Sequence, residues 1–226
     1  MYYDIAGLNT RILGAIHILP ASISSLPSWA LKAFEEAELI EMEHDHAEFD
    51  ACFVDATTGT LKPWAQLFIR LRQMFAQAAP SLQIGVEGIF ARWLEERVRP
   101  PMTFIESGRS LSALLDAVPV QDLAAAERDI DKFAPAQQIA ALHSAWERCD
   151  SAALTELQEA SPLASVPSLR HAFFTARNES WANTIAARGA SEKRQLLVVG
   201  ALHLVGADSL LDRLAARGLV VNQLIA

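Results

Sequence analysis

Two histidines sit in the same short frame near opposite ends of the chain, Gly14-Ala15-Ile16-His17-Ile18-Leu19 and Gly200-Ala201-Leu202-His203-Leu204-Val205. Imidazole is the commonest metal ligand among side chains and the one that exchanges protons near neutral pH. Carboxylates complete either chemistry. Glu43 closes the run Glu38-Leu39-Ile40-Glu41-Met42-Glu43, and Glu106 closes the short segment Met102 to Glu106. Two imidazoles with one or two carboxylates make an open site for Zn²⁺, Mn²⁺ or Co²⁺. The same set without a metal activates water, a neutral His acting as base and a carboxylate fixing its tautomer. Spacing does not separate the two.

A cation joins this set. Leu169, Phe173, Arg177, Trp181 and Ile185 follow one another at steps of four, so Arg177 lies on a stripe that is otherwise apolar. Such a guanidinium either snorkels from the edge or is held to bind a substrate carboxylate or a developing oxyanion. The tract Glu41-Met42-Glu43-His44-Asp45-His46 is a rival metal site: on a continued strand His44 and His46 share one face and Glu43 and Asp45 the other. The plainer reading of His44 and His46 is a solvated strand end and loop. His143 and His171 have no partners at ligand spacing. The chain has no His-Glu-x-x-His helix, no Gly-x-Ser-x-Gly elbow and no phosphate-binding glycine loop.

The elements that must position these groups read as α/β. Apolar runs precede both Gly-x-x-His motifs, as in strands buried in a sheet, and a Gly near a strand end lets another backbone or a ligand approach. Tyr2 to Ile5 and Arg11 to His17 flank a Gly7-Leu8-Asn9 turn and predict a hairpin, with Pro20 ending the second strand. A helix is expected from Trp29 to Ala37, capped by Ser28, then a strand over 38–43 and a loop at Thr57 to Thr60. Helical spacing dominates from Leu61 to Arg188, including Ile89, Phe90, Trp93 and Leu94, and Ala124 to Phe133. The chain closes with a strand over 195–199, a helix over 209–217 stopped by Gly218, and a strand over 219–225. The expectation is one domain, 1–226, with a mixed central sheet from 1–45, 102–106 and 195–226 and a helical insertion at about 61–188 covering the site.

Composition bounds the partners. The 226 residues are 51% hydrophobic and 20% charged, a globular balance, and the formal charge is −8. Arg70, Arg72, Arg92, Arg97 and Arg99 form no basic stripe, so a nucleic-acid partner is not expected. Cys52 and Cys149 lack metal or redox spacing and read as free thiols. The longest apolar stretch, Leu196 to Ala207, is too short for a transmembrane segment, and Asp4 and His17 spoil the signal-peptide pattern around Arg11 to Ser22. A cytoplasmic location is therefore expected. Oligomeric state is not legible.

Taken together, Leu13 to Pro20, Ala37 to Glu43, Gly85-Val86-Glu87, Ile105-Glu106, Arg177-Asn178-Glu179-Ser180-Trp181, Val199 to Gly206 and the closing Leu-Leu-Asp-Arg-Leu-Ala-Ala-Arg-Gly218-Leu-Val-Val resemble the TraB/GumN family. That family includes the Tiki proteases and is distantly related to erythromycin esterases and ChaN-like proteins. The resemblance covers residues 1–45, 85–119 and about the last 55. It implies that His17, Glu43, His203 and the pair Arg177-Asn178 share one cleft, with Glu106 nearby. In the Tiki branch that cleft is linked to metal-dependent peptide cleavage, whereas other branches are tied to pheromone shutdown. Ala15 stands where a Thr is common, and the export signal or anchor that many relatives carry is not expected here.

The expected function is metal-dependent hydrolysis of a peptide or amide bond in a peptide or small-molecule substrate. His17, Glu43 and His203 would ligate a divalent cation (Mn, Co or Zn), with Glu43 as third ligand or base and Arg177 and Asn178 at the oxyanion. The alternatives are a metal-free, erythromycin-esterase-like hydrolase with His17 as base, and a non-catalytic protein that binds a peptide or small ligand.

Overall fold

The structure is a computed structural model and describes all residues except 21, 22, 24, 79–81, 87, 88, 90–99, 131–133, 225 and 226. Strand β1 (Tyr2–Ile5) and strand β2 (Thr10–Ala15) form the predicted hairpin, with Ile5 opposite Thr10. β3 (Ile18–Pro20) leaves that plane and pairs with β5 (Leu82–Ile84) in a separate two-stranded sheet. Helix α1 (Ser28–Glu35), which ends short of the expected Ala37 and holds Ser28 as its first residue with no side-chain cap, leads to β4 (Leu39–Met42). With β6 (Met102–Phe104), β7 (Gln195–Gly200) and β8 (Val221–Gln223), the main sheet runs β6-β4-β7-β2-β1-β8. Strands β6, β4, β7 and β2 are mutually parallel, so four carboxyl ends lie along one edge. All six residues of β7 are buried, which is why Leu196 to Val199 reads as an unbroken apolar run.

The middle of the chain is helical: α2 (His46–Ala51), α3 (Pro63–Ala78), α4 (Gly108–Asp116), α5 (Val120–Ile130), α6 (Pro135–Glu147), α7 (Ser151–Glu159), α8 (Pro162–Ser165) and α9 (Pro167–Arg170). A π-turn (His171–Thr175) joins α9 to α10 (Ala176–Ala186), and α11 (Leu210–Ala215) follows the last long strand. Two apolar clusters result. Ile12, Leu13, Ile40, Leu197, Trp146 and Trp181 belong to the one on the sheet. Phe49, Phe53, Trp64, Leu111, Leu169 and Phe173 belong to the other, among helices. Truncating any buried aromatic here is expected to cost about 3–5 kcal/mol. The Trp146 indole N–H donates to the Gly14 carbonyl at 2.6 Å, tying α6 to the first Gly-x-x-His segment.

Several expectations need correction. Neither His17 nor His203 lies on a strand: β2 stops at Ala15 and β7 at Gly200. The strand expected over 38–43 ends at Met42, and that over 219–225 is limited to Val221–Gln223, with Ile225 outside the described residues. The helix at 124–133 starts earlier, at Val120, and residues 131–133 are outside the described set. Glu87, Phe90, Arg92, Trp93, Leu94, Arg97 and Arg99 also lie outside it. Both cysteines are free, and among the described residues no helix is long and apolar enough to cross a membrane.

Candidate active site

Each of the four parallel strands delivers a polar side chain just past its carboxyl end, where open α/β sheets bind ligands. His17 lies two residues beyond β2, Glu43 directly after β4, Glu106 two residues beyond β6, and His203 within a 3₁₀ turn (Ala201–Leu204) that follows β7. They converge. Glu43 Oε1 is 3.8 Å from His17 Nε2, 4.0 Å from His203 Nε2, and accepts the Gly200 N–H. The His17 side chain is 49% exposed and that of His203 only 6%, so the cluster opens to solvent on the His17 side.

The two glycines of the repeated frame allow this approach reciprocally. A Cβ added at Gly200 would fall 3.0 Å from His17 Nε2 and 3.2 Å from Glu43 Oε1. One at Gly14 would fall 2.9 Å from Leu204 Cδ1 and 3.3 Å from Ala201 Cα. Each motif's glycine therefore makes room for the other motif. The His17 backbone is fixed from the small sheet, where the Gly85 N–H donates to the His17 carbonyl at 2.8 Å.

Helix α10 supplies the cation. Arg177 is buried, which overturns the snorkelling reading. Nη2 donates to Glu43 Oε2 at 2.6 Å and to Glu106 Oε1, which also accepts from Nε at 2.8 Å. Nη1 donates to His203 Nε2 at 3.1 Å and to the Phe173 carbonyl at 3.4 Å. Its guanidinium carbon sits 4.6 Å from the Trp181 ring centroid, and the Trp181 N–H donates to Glu106 Oε2 at 3.2 Å. All five N–H donors are thus committed to protein acceptors. Because Arg177 can only donate, His203 Nε2 is the acceptor and the imidazole proton resides on Nδ1, 2.7 Å from Asn178 Oδ1. Asn178 is itself anchored, Nδ2 donating to the Asp208 carbonyl at 2.7 Å.

The electrostatics agree with this assignment. Burial pushes the His203 pKa down to about 3, against the pull of Glu43, so the ring is neutral. Burial alone would raise the Glu43 carboxyl, but Arg177, the two imidazoles and the Gly200 N–H more than offset it and hold Glu43 well below the usual carboxylate range. Glu43 and Glu106 in turn raise Arg177. An ionised carboxylate and a neutral imidazole are the forms in which these groups ligate a metal or accept a proton.

His44 requires the second correction. It is not a solvated loop residue: its side chain is 10% exposed and Nδ1 lies 3.7 Å from Glu106 Oε1. That nitrogen is buried and makes no hydrogen bond. The signal was in the sequence. Asp45-His46-Ala47-Glu48 has helix-capping spacing, and the Asp45 carboxylate accepts the Ala47 N–H at 2.8 Å, so the strand had to stop and turn His44 into the site. His46 opens α2, and its ring stands edge-on to His44 at 4.9 Å. Trp181 and Gly85 were also missed as positioning groups, because only tertiary contacts reveal them.

Fold and site define an α/β protein with a His/Glu cluster at the strand ends, held from one side by a helical arginine. Residues 50–223 match the sequence model of the TraB/PrgY/gumN family, well over half of the chain, and the protein belongs to that family. The match includes Glu106, Arg177, Asn178 and His203; His17, Glu43 and His44 precede it. No curated protein and no solved structure matches the chain. As a test for a divalent metal, the donor chemistry fits: imidazole and carboxylate together suit Mn, Co and Zn. The unsatisfied His44 nitrogen beside two carboxylates points the same way.

Proposed function

We propose that the protein hydrolyses peptide or amide bonds with the help of a divalent cation, Mn, Co or Zn. The observation that carries this reading is the approach of His17 and His203 to one oxygen of an ionised Glu43 at the solvent-reachable end of the sheet. His17, Glu43 and His203 would hold the ion. When bound, such an ion supplies hydroxide at neutral pH by bringing the pKa of its water to about 7.

The chain's own residues do the rest. Asn178 holds the His203 proton on Nδ1, which leaves Nε2 unprotonated; its lone pair accepts from Arg177 Nη1 and would reach an ion once that donor turned aside. Glu43 accepts a proton or binds the ion through Oε1, while Oε2 stays on Arg177. Arg177 and Asn178 act first as positioning residues, since their donors are spent on Glu43, Glu106, His203 and backbone. His17, half exposed, meets the substrate first, and a metal-free variant of the reaction with His17 as base draws support from its 3.8 Å distance to Glu43.

The test pairs metal content with hydrolysis of a diverse capped-peptide panel, for the wild type and His203→Ala. Hydrolysis is expected to fall at least about 10³-fold in the variant and to vanish on chelation. Equal turnover by both proteins overturns the reading. Turnover that survives chelation selects the metal-free form.

A further inference from the structure

We propose that Glu43, His44 and Glu106 form a second divalent-cation seat, on the inner side of Glu43, for which Arg177 is the built-in competitor. The donor atoms of these three residues lie within 4.8 Å of one another. Ions of this class hold oxygen and nitrogen at about 2.0–2.2 Å, so neighbouring ligands need only small side-chain shifts to close on one. Two carboxylates and one imidazole favour Mn²⁺, Co²⁺ or Zn²⁺.

An acidic pair alone would not point to a cation. The independent observation is His44: nine-tenths buried, directed at Glu106 Oε1 from 3.7 Å, with Nδ1 lacking any hydrogen bond. A buried polar atom left this way costs about 1–3 kcal/mol, which a ligand recovers. The ring is also preset, edge-on to Phe49 at 5.2 Å and to His46 at 4.9 Å. The two ligand segments are stitched together by backbone, the Glu106 N–H donating to the Glu43 carbonyl at 3.0 Å.

This seat shares Glu43 with the His17/His203 side but uses the other carboxylate oxygen. Oε1 faces the two imidazoles, whereas Oε2 and Glu106 Oε1 face Arg177. A guanidinium and a dication compete for the same two oxygens. Loading the seat therefore releases the Nε and Nη2 donors of Arg177, and, on the hydrolase reading above, frees them for a substrate oxygen.

The test is titration of the full-length protein with Co²⁺, followed by visible absorption and calorimetry. His44→Ala is expected to weaken one saturable binding event by about 10–100-fold, the range seen when a supporting group of a metal site is lost. His17→Ala is expected to leave that event unchanged. Arg177→Met, with the competitor removed, is expected to tighten it about tenfold or more; thermal unfolding establishes first that this variant folds, and the two histidine variants decide the matter if it does not. Co²⁺ binding that His44→Ala does not alter, or no saturable binding by the wild type, overturns the proposal. Binding that depends on His44 without any peptide hydrolysis keeps this seat and removes the hydrolase reading instead.

Discussion

Two arginine–glutamate pairs join α10 to β4, and they are built for different ends. Glu41 lies in β4 and Glu43 directly after it; Arg177 is the second residue of α10 and Arg188 follows its end. At the far pair, Arg188 grips Glu41 as a fork, 2.6 Å and 2.7 Å to the two carboxylate oxygens, and Gln195 Nε2 adds a third donor at 3.1 Å. One charge meets one charge, and both carboxylate oxygens are bonded. At the near pair one guanidinium is shared between Glu43 and Glu106, one imidazole is forced neutral, and another keeps an unbonded nitrogen. The same residue types thus make a clamp at one end of a helix and a reactive cluster at the other. The difference lies in stoichiometry, in the strand ends and in the deeper burial of Arg177.

Activity should separate the pairs most widely. Glu43→Gln is expected to lower peptide hydrolysis at least about 10³-fold with the fold intact, while Glu41→Gln leaves turnover within about twofold. Similar losses in both would erase the distinction. At the far pair the effect should fall on stability instead. Removing one partner of a buried pair leaves an uncompensated charge, so Arg188→Met is expected to cost about 3 kcal/mol in urea unfolding, with kcat retained.

Acid should loosen the reactive end. Folded His203 binds its proton only near pH 3 against an ordinary 6.5, and folded Glu43 titrates below its ordinary 4.5. The unfolded chain therefore takes up protons first as pH falls. Stability is full above about pH 6.5, declines towards pH 3 through His203, and declines further below 4.5 through Glu43, by roughly 3–5 kcal/mol for the imidazole alone. Urea unfolding across this range should show the slope in the wild type and lose its upper part in His203→Gln. Asn178→Ala is expected to reduce turnover about 10–100-fold by freeing the His203 tautomer, with kcat falling more than KM rises. The smallest effect is expected from Gly200→Ala, whose new methyl presses on His17 Nε2 and Glu43 Oε1, both ends of movable side chains. A loss near tenfold in turnover and under about 1 kcal/mol in stability would fit that contact.

Much of this was readable in one dimension. Alternation and apolar runs located the hairpin, β4 and β7, and the four-residue steps through Arg177 correctly marked a buried stripe: Leu169, Phe173, Arg177, Trp181 and Ile185 are all buried. The repeated Gly-Ala-aliphatic-His frame correctly suggested convergence, because parallel β2 and β7 are neighbours, with Ala15 opposite Gly200. Two things were not legible from period alone. Strand ends were overrun by one or two residues, since periodicity does not see where pairing stops, and the turn at His44 was read as a solvated strand end. The saturation of Arg177 was equally invisible, because its five hydrogen bonds reach four separate segments of the chain.

The π-turn at His171–Thr175 has a further consequence. The Ala176 N–H reaches back to the His171 carbonyl, so this turn carries one residue more than an ordinary helix would. It contains Phe173 and follows Leu169, both of which pack among the helices, and it precedes Trp181 and Ile185, which pack on the sheet. One extra residue is thus the gearing between two cores, and Arg177 is the tooth next to it. Deleting a single residue there would let the helix regularise, and one core or the other would have to turn through about 100° relative to its partner.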